Sequence, residues 1–114
     1  MVYYYDKNTL YVNGRAVTFA HDIRMAEICD DLVIVLLAIP YGDDTVDNLY
    51  AVDQYGDVVW QSQKLKSLYP TQSIDPYEGF RLTEDGIVAH DFWARRYLIS
   101  PETGKVLKQT VGRW

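Results

Sequence analysis

The sequence predicts an all-β fold: two antiparallel four-stranded meanders plus an N-terminal hairpin, packed as a sandwich or partial barrel. Three observations predict it. Three segments share one pattern of a tyrosine-bearing apolar strand, a polar turn with a glycine, and a second apolar strand. The last two of these segments carry a matching strand-turn-strand preface. The longest apolar run, Leu32 to Ile39, is eight residues, a length that suits a strand buried on both faces.

The elements follow in order. In Tyr3-Tyr4-Tyr5 side-chain alternation sends Tyr4 to the face opposite its neighbours, so an aromatic is left at the surface. Leu10 to Val17 reads as a hairpin closed by Asn13-Gly14, because a tight turn needs φ > 0 and these residues adopt it most readily. This hairpin is expected to extend one of the larger sheets. Met25 to Leu37 reads as strand, turn at Asp30-Asp31, strand. Tyr50 to Val59 is the second hairpin, with Gly56 in its turn. In Ser62 to Tyr69 the alternation breaks: Leu65 and Leu68 stand three apart and Pro70 stops the pattern, which predicts a short helix or crossover. Phe80 to Phe92 repeats the preface around Glu84-Asp85-Gly86, and Tyr97 to Leu107 repeats the hairpin through Pro101-Glu102-Thr103-Gly104.

Residues 25–61 and 79–109 are therefore the two meanders of one domain spanning 1–114. Gly14, Gly56 and Gly104 are expected at φ > 0. Ile28, Val33, Val35, Leu37, Val52, Val59, Val88, Leu98, Ile99 and Leu107 are expected in the core, and Leu36 on the other face of its strand is expected to be buried too.

Tyr11, Tyr50 and Tyr97 recur at intervals close to the blade lengths of propellers, about 40–50 residues. Leu49-Tyr50-Ala51-Val52-Asp53 through Gly56-Asp57-Val58-Val59-Trp60, and Tyr97-Leu98-Ile99-Ser100 through Thr103-Gly104-Lys105-Val106-Leu107, resemble the strand-turn-strand of pyrroloquinoline-quinone-type β-propeller repeats. The resemblance implies blade-like sheets. It carries no cofactor residues, and a ring needs about four blades or more where this chain supplies two and a hairpin. Association of several chains to complete a ring is one way to close it.

Composition bounds the function. The net charge is −5 and the basic residues are scattered, Arg95-Arg96 being the sole adjacent pair. Phosphate binding wants clustered Lys and Arg, so nucleic acid is not the expected ligand. No run reaches the about twenty apolar residues of a membrane-spanning helix. The lone Cys29 sits among apolar residues and is expected to be a core thiol; with no export signal visible, it points to a reducing compartment, the cytoplasm.

No catalytic motif, phosphate-cradling glycine loop or cofactor-binding pattern is present, and a non-enzyme is expected. The loop 41–48 gathers Asp43, Asp44 and Asp47, but Gly42 precedes the acids where a calcium loop places its glycine among alternating oxygen ligands. His21-Asp22 and His90-Asp91 are sequence neighbours that a strand points to opposite faces. What remains is a high load of aromatics, which are residue types of interface hot spots. Two readings follow. In one, the chain is a non-catalytic protein-binding domain, in its sharpest form a cytoplasmic inhibitor or immunity protein for a basic toxin. Its binding surface would combine Asp43, Asp44 and Asp47 with Tyr4, Trp93 and Arg95. In the other, a small ligand or substrate binds a cleft between the meanders lined by His21, His90, Trp60 or Trp93.

Overall fold

In the computed structural model, which describes residues 1–111, three antiparallel sheets are stacked face to face. The last three residues of the 1–114 span lie outside the described residues. Strands β1 (Tyr3–Asp6), β2 (Thr9–Val12) and β3 (Arg15–Thr18) form the first sheet. Strands β4 (Ile23–Cys29), β5 (Leu32–Leu37), β6 (Leu49–Asp53) and β7 (Val58–Gln61) form the second. A single-turn helix, α1 (Leu65–Leu68), leads to the third sheet of β8 (Tyr77–Thr83), β9 (Gly86–Asp91), β10 (Arg95–Ile99) and β11 (Val106–Val111). Each sheet is a meander in chain order, and none closes into a barrel. Among the described residues no helix is long and apolar enough to cross a membrane.

The apolar run of β5 explains the stack. Its even side chains Ile34 and Leu36 enter a core shared with the third sheet, against Tyr77, Phe80, Ile87 and Tyr97. Its odd side chains Val33, Val35 and Leu37 enter a second core with Leu10, Val12 and Phe19 of the first sheet. A strand with period-two alternation and no polar residue must be covered on both sides. The N-terminal segment supplies the second cover. Tyr3 to Asp6 pairs with β2, so the hairpin becomes a three-stranded sheet of its own and does not extend a larger one. Tyr3 and Tyr5 donate their hydroxyls to the carbonyls of Ala26 and Arg24, which seats this sheet on the second.

Gly14, Gly56 and Gly104 have φ of 83°, 82° and 75°, as the hairpins require. Of the expected core, Ile28, Val59 and Leu107 are exposed. Two of these have one cause. The pairing jumps from Val52↔Val58 to Ala51↔Trp60, and from Ile99↔Val106 to Leu98↔Lys108. Val59 and Leu107 are thus the extra residues of β-bulges, which lose their place in the alternation. Ile28 lies on edge strand β4 beyond Ala26, which Tyr3 reaches. Arg24 and Glu78 are likewise extra residues, in β4 and β8. All four edge strands of the two larger sheets are therefore bulged, which blunts edge-to-edge pairing. Cys29 is half-buried against the inter-sheet core, and burial raises its thiol pKa above the ordinary value.

Gly104 also makes a close approach. A Cβ there would stand 2.6 Å from the Trp60 ring, and that ring is pinned by its Nε1–H donating to the Pro101 carbonyl at 2.9 Å. Gly104→Ala is expected to destabilise by about 2 kcal/mol, from left-handed backbone strain plus overpacking. A urea melt checks it, and an unchanged midpoint would contradict the packing.

Candidate functional site

Two loops at one end of the stack enclose a cleft of about 470 Å³ between the second and third sheets. One wall is the start of the β5–β6 connection, from Ile39 to Asp43; the other is the β9–β10 turn with Phe92 and Trp93. Asp75, Pro76 and Glu78 close the base.

The aromatic wall is built by one aspartate. Asp91 Oδ1 accepts from the backbone N–H of Trp93 and of Arg95, at 2.9 and 3.0 Å. Its Oδ2 accepts from Arg95 Nε at 2.7 Å. This Asx-type turn places Ala94 at φ 64° and turns Phe92 and Trp93 out of the sheet, their rings edge to face at 5.3 Å. Phe92 is 74% exposed and Trp93 65%. Asp53 makes the same turn, accepting from Tyr55 and Asp57, so the two meanders repeat this device as well as their strands. Arg95 Nη2 then reaches Asp75 Oδ2 at 3.1 Å, which ties the incoming crossover to the turn. Burial opposes the Arg95 charge, and Asp91 outweighs it, so the guanidinium pKa is held above its ordinary value.

The acidic wall is ordered by Asp43. Its Oδ1 accepts from Thr45 N–H and its Oδ2 meets His21 Nε2, both at 2.9 Å. Hydrogen bonding from Thr45 first, and from His21 second, lowers the Asp43 pKa from 3.8 to about 2. A carboxyl depressed by folding stabilises the native state above its unfolded pKa, and that contribution is lost as the pH falls through about 2. A carbon-detected NMR titration is expected to place the Asp43 midpoint near 2 and to show it rising in Thr45→Val and in His21→Ala. A midpoint indifferent to both would remove these partners as the cause.

The structure brings together Asp43 and Trp93, two of the residues singled out from the sequence, with exposed Asp44 beside Asp43. It separates the others. Asp47 is buried, at φ 56°, with Oδ1 accepting from the Leu65 N–H that begins the helical turn; burial raises its carboxyl pKa. Its role is to shape the loop, and it offers no surface charge. Arg95 stands behind the aromatic turn as its clamp. Tyr4 lies far along the stack, on the outer face of the first sheet, where it stacks on Tyr11 at 4.6 Å. The ligand-binding constellation is also dispersed. Trp60 is in the core and His90 lies on the outer face of the third sheet against Gly79. His21 touches Asp43 without lining the cleft. Among the described residues no three His, Cys, Asp or Glu side chains could hold a metal ion.

Sequence reasoning missed Tyr41, Asp75, Glu78 and the His21–Asp43 pair. Glu78 turns toward the cleft because it is a bulge residue, and the other contacts join segments distant in the chain. No local signal marks them.

The family described as "Domain of unknown function (DUF7957)" matches residues 1–111. No curated protein matches the chain in sequence. Among solved structures, the crystal structure of the computationally designed Ika8 protein superposes with a TM-score of 0.60 at 9% identity. The match covers 97% of this chain and 36% of the designed one, so this chain spans little more than a third of that protein. At this identity the likeness is one of fold.

Proposed function

The chain belongs to the DUF7957 family, and we propose that it is a non-catalytic protein-binding domain that receives a basic segment of a partner protein in the cleft between its second and third sheets. The observation that carries this reading is the exposure of Phe92 and Trp93 opposite Asp43, with Asp75 and Glu78 at the base. An aromatic ring held out of a sheet by a buried aspartate gains apolar burial only when something covers it. A Lys or Arg side chain fits both halves of the lining, its stem and charge against the rings and its head toward the carboxylates. The net charge of −5 steers such a partner from a distance. In its sharpest form the partner is a basic toxin or nuclease that this chain neutralises. A cytoplasmic site of action belongs to the same reading, resting on the unpaired thiol of Cys29.

The test uses fluorescent peptides centred on Lys or Arg, with acidic and neutral peptides of equal length as controls. Basic peptides are expected to bind and to perturb tryptophan emission. Trp93→Ala is expected to weaken binding at least about tenfold, mainly through faster dissociation. Asp43→Asn with Asp44→Asn should slow association and flatten its salt dependence. Equal binding of acidic peptides, or indifference to Trp93→Ala, would overturn the reading.

A further inference from the structure

The first sheet ends on an edge unlike any edge of the two larger sheets. Strands β4, β7, β8 and β11 each carry a bulge, whereas β1 pairs with β2 in unbroken register from Tyr3↔Val12 to Asp6↔Thr9. As the outermost strand of its sheet, β1 has β2 on one side only. The Asn13 N–H donates to the Val2 carbonyl at 2.8 Å, so Val2, Tyr4 and Asp6 turn their backbone groups toward β2. Antiparallel alternation then turns the N–H and C=O of Tyr3 and Tyr5 outward. Among the described residues nothing pairs with them.

The edge beneath it is closed. Strand β4 turns the Ala26 carbonyl to its own free side, and the Tyr3 hydroxyl takes it; the Tyr5 hydroxyl takes the carbonyl of the bulge residue Arg24. Bulges and capped carbonyls both blunt an edge against pairing, and β1 has neither. The opposite edge, β3, is also free of bulges, but it offers little to a new neighbour. Its outer-face side chains are Ala16 and Thr18, in the rows of Tyr11 and Thr9. On β1 the outer face offers Tyr4, 60% exposed and stacked on Tyr11 at 4.6 Å. A strand added at β1 gains an aromatic neighbour as well as backbone partners.

We infer that two copies of this chain pair through β1, antiparallel about a two-fold axis at Tyr4, so that their first sheets become one continuous sheet. The occupant is a second copy because the strand matches itself. The residues with outward groups, Tyr3 and Tyr5, stand symmetrically on either side of Tyr4. Tyr3 therefore lies opposite the partner's Tyr5 as a hydrogen-bonded pair, and every outward group of both residues is satisfied. Tyr4 meets the partner's Tyr4 at the non-hydrogen-bonded position, where side chains approach most closely. The Tyr4–Tyr11 stack of one copy thus runs on into that of the other. Such a contact is isologous and closes at the dimer. A four-residue strand buries less than the roughly 1,600 Å² of a standard interface, so the dimer is weak and concentration-dependent. The cleft of Asp43 and Trp93 lies between the other two sheets, so each dimer carries it twice.

Sedimentation velocity across a concentration series tests this. The wild-type chain is expected to pass from monomer to dimer and to grow no further. High salt should not weaken the dimer, because backbone groups and neutral rings form it while the net charge of −5 opposes it. Tyr5→Pro removes an outward donor and sets a ring on the open edge, yet leaves every backbone bond to β2. Proline is tolerated at such edge positions, and the change should weaken the dimer at least about tenfold. Ala16→Pro does the same to β3 and is expected to leave the dimer intact. Tyr4→Lys and Tyr4→Glu each set like charges against one another at the axis and should be monomeric alone. Mixed, they are expected to recover a one-to-one dimer, since opposite charges then meet. Circular dichroism melts establish that the variants are folded. A wild-type chain that stays monomeric at the highest concentration, or that grows past a dimer, would overturn the inference. So would Tyr5→Pro dimerising like wild type, loss of the dimer in Ala16→Pro, or a charge-paired mixture that stays monomeric.

Discussion

Leu36→Asp is expected to abolish the folded state at neutral pH. Leu36 has no exposed surface and sits in the core between the second and third sheets, on the strand that also serves the other core. Truncating a buried leucine to alanine costs about 2–5 kcal/mol, and an unpaired carboxylate in the same place adds several more. The sum rivals the whole stability of an ordinary domain, about 5–15 kcal/mol. Far-ultraviolet circular dichroism and a proton–nitrogen correlation spectrum should show an unfolded chain, while Leu36→Ala melts cooperatively at a lower midpoint. A folded Leu36→Asp protein would mean that β5 is not the doubly covered strand described here.

Asn48→Ala is expected to remove about 3–5 kcal/mol of stability without touching the cleft. Asn48 is 1% exposed, immediately before β6. Its Nδ2 donates to the carbonyls of Leu37 and Tyr77, at 2.8 and 2.9 Å, and its Oδ1 accepts from the Tyr77 N–H at 2.8 Å. One amide thus ties the end of β5 to the start of β8, across two sheets. Leaving a buried donor or acceptor without a partner costs about 1–3 kcal/mol each, and the truncation exposes three such groups. Urea melts measure the loss, and hydrogen exchange at the Tyr77 amide should accelerate well beyond the global change. Asn48→Asp provides a sign test. A carboxyl facing two carbonyls in a dry site holds its proton, so its folded pKa is raised; stability is greatest below the unfolded value of about 3.9 and falls as the pH rises toward the folded one. A variant more stable at pH 7 than at pH 4 would contradict the contacts of Asn48.

The proposed site was partly legible. Exposed aromatics at Phe92-Trp93 and acids at Asp43-Asp44 were visible as residue types that a strand pattern could not absorb. Their meeting was not, because the acidic loop and the aromatic turn lie some fifty residues apart and share no periodicity. Asp47 shows the opposite error. In sequence it is one more acid in a charged loop, and only the Leu65 N–H, brought up by the helical turn, makes it internal. Tyr4 was correctly left on a surface by alternation, on a face that the cleft does not share.

Strand identity, turn position and the doubly buried character of β5 are properties of neighbouring residues. Alternation has period two, Asn-Gly and closing glycines adopt φ > 0, and an eight-residue apolar run admits no wet face. Those the sequence by itself determined, from β2 through β11. Tertiary structure alone decided that the N-terminal hairpin gains a third strand and becomes a separate layer, since Tyr3 to Asp6 pairs with β2 while Leu10, Val12 and Phe19 cover Val33, Val35 and Leu37. It also decided where the edge bulges fall, which turned Val59 and Leu107 outward and Glu78 toward the cleft. A bulge is a mismatch between two strands, a sheet's cover is supplied by another sheet, and a cleft is the gap between them. Each is a relation between distant segments, written in neither segment alone.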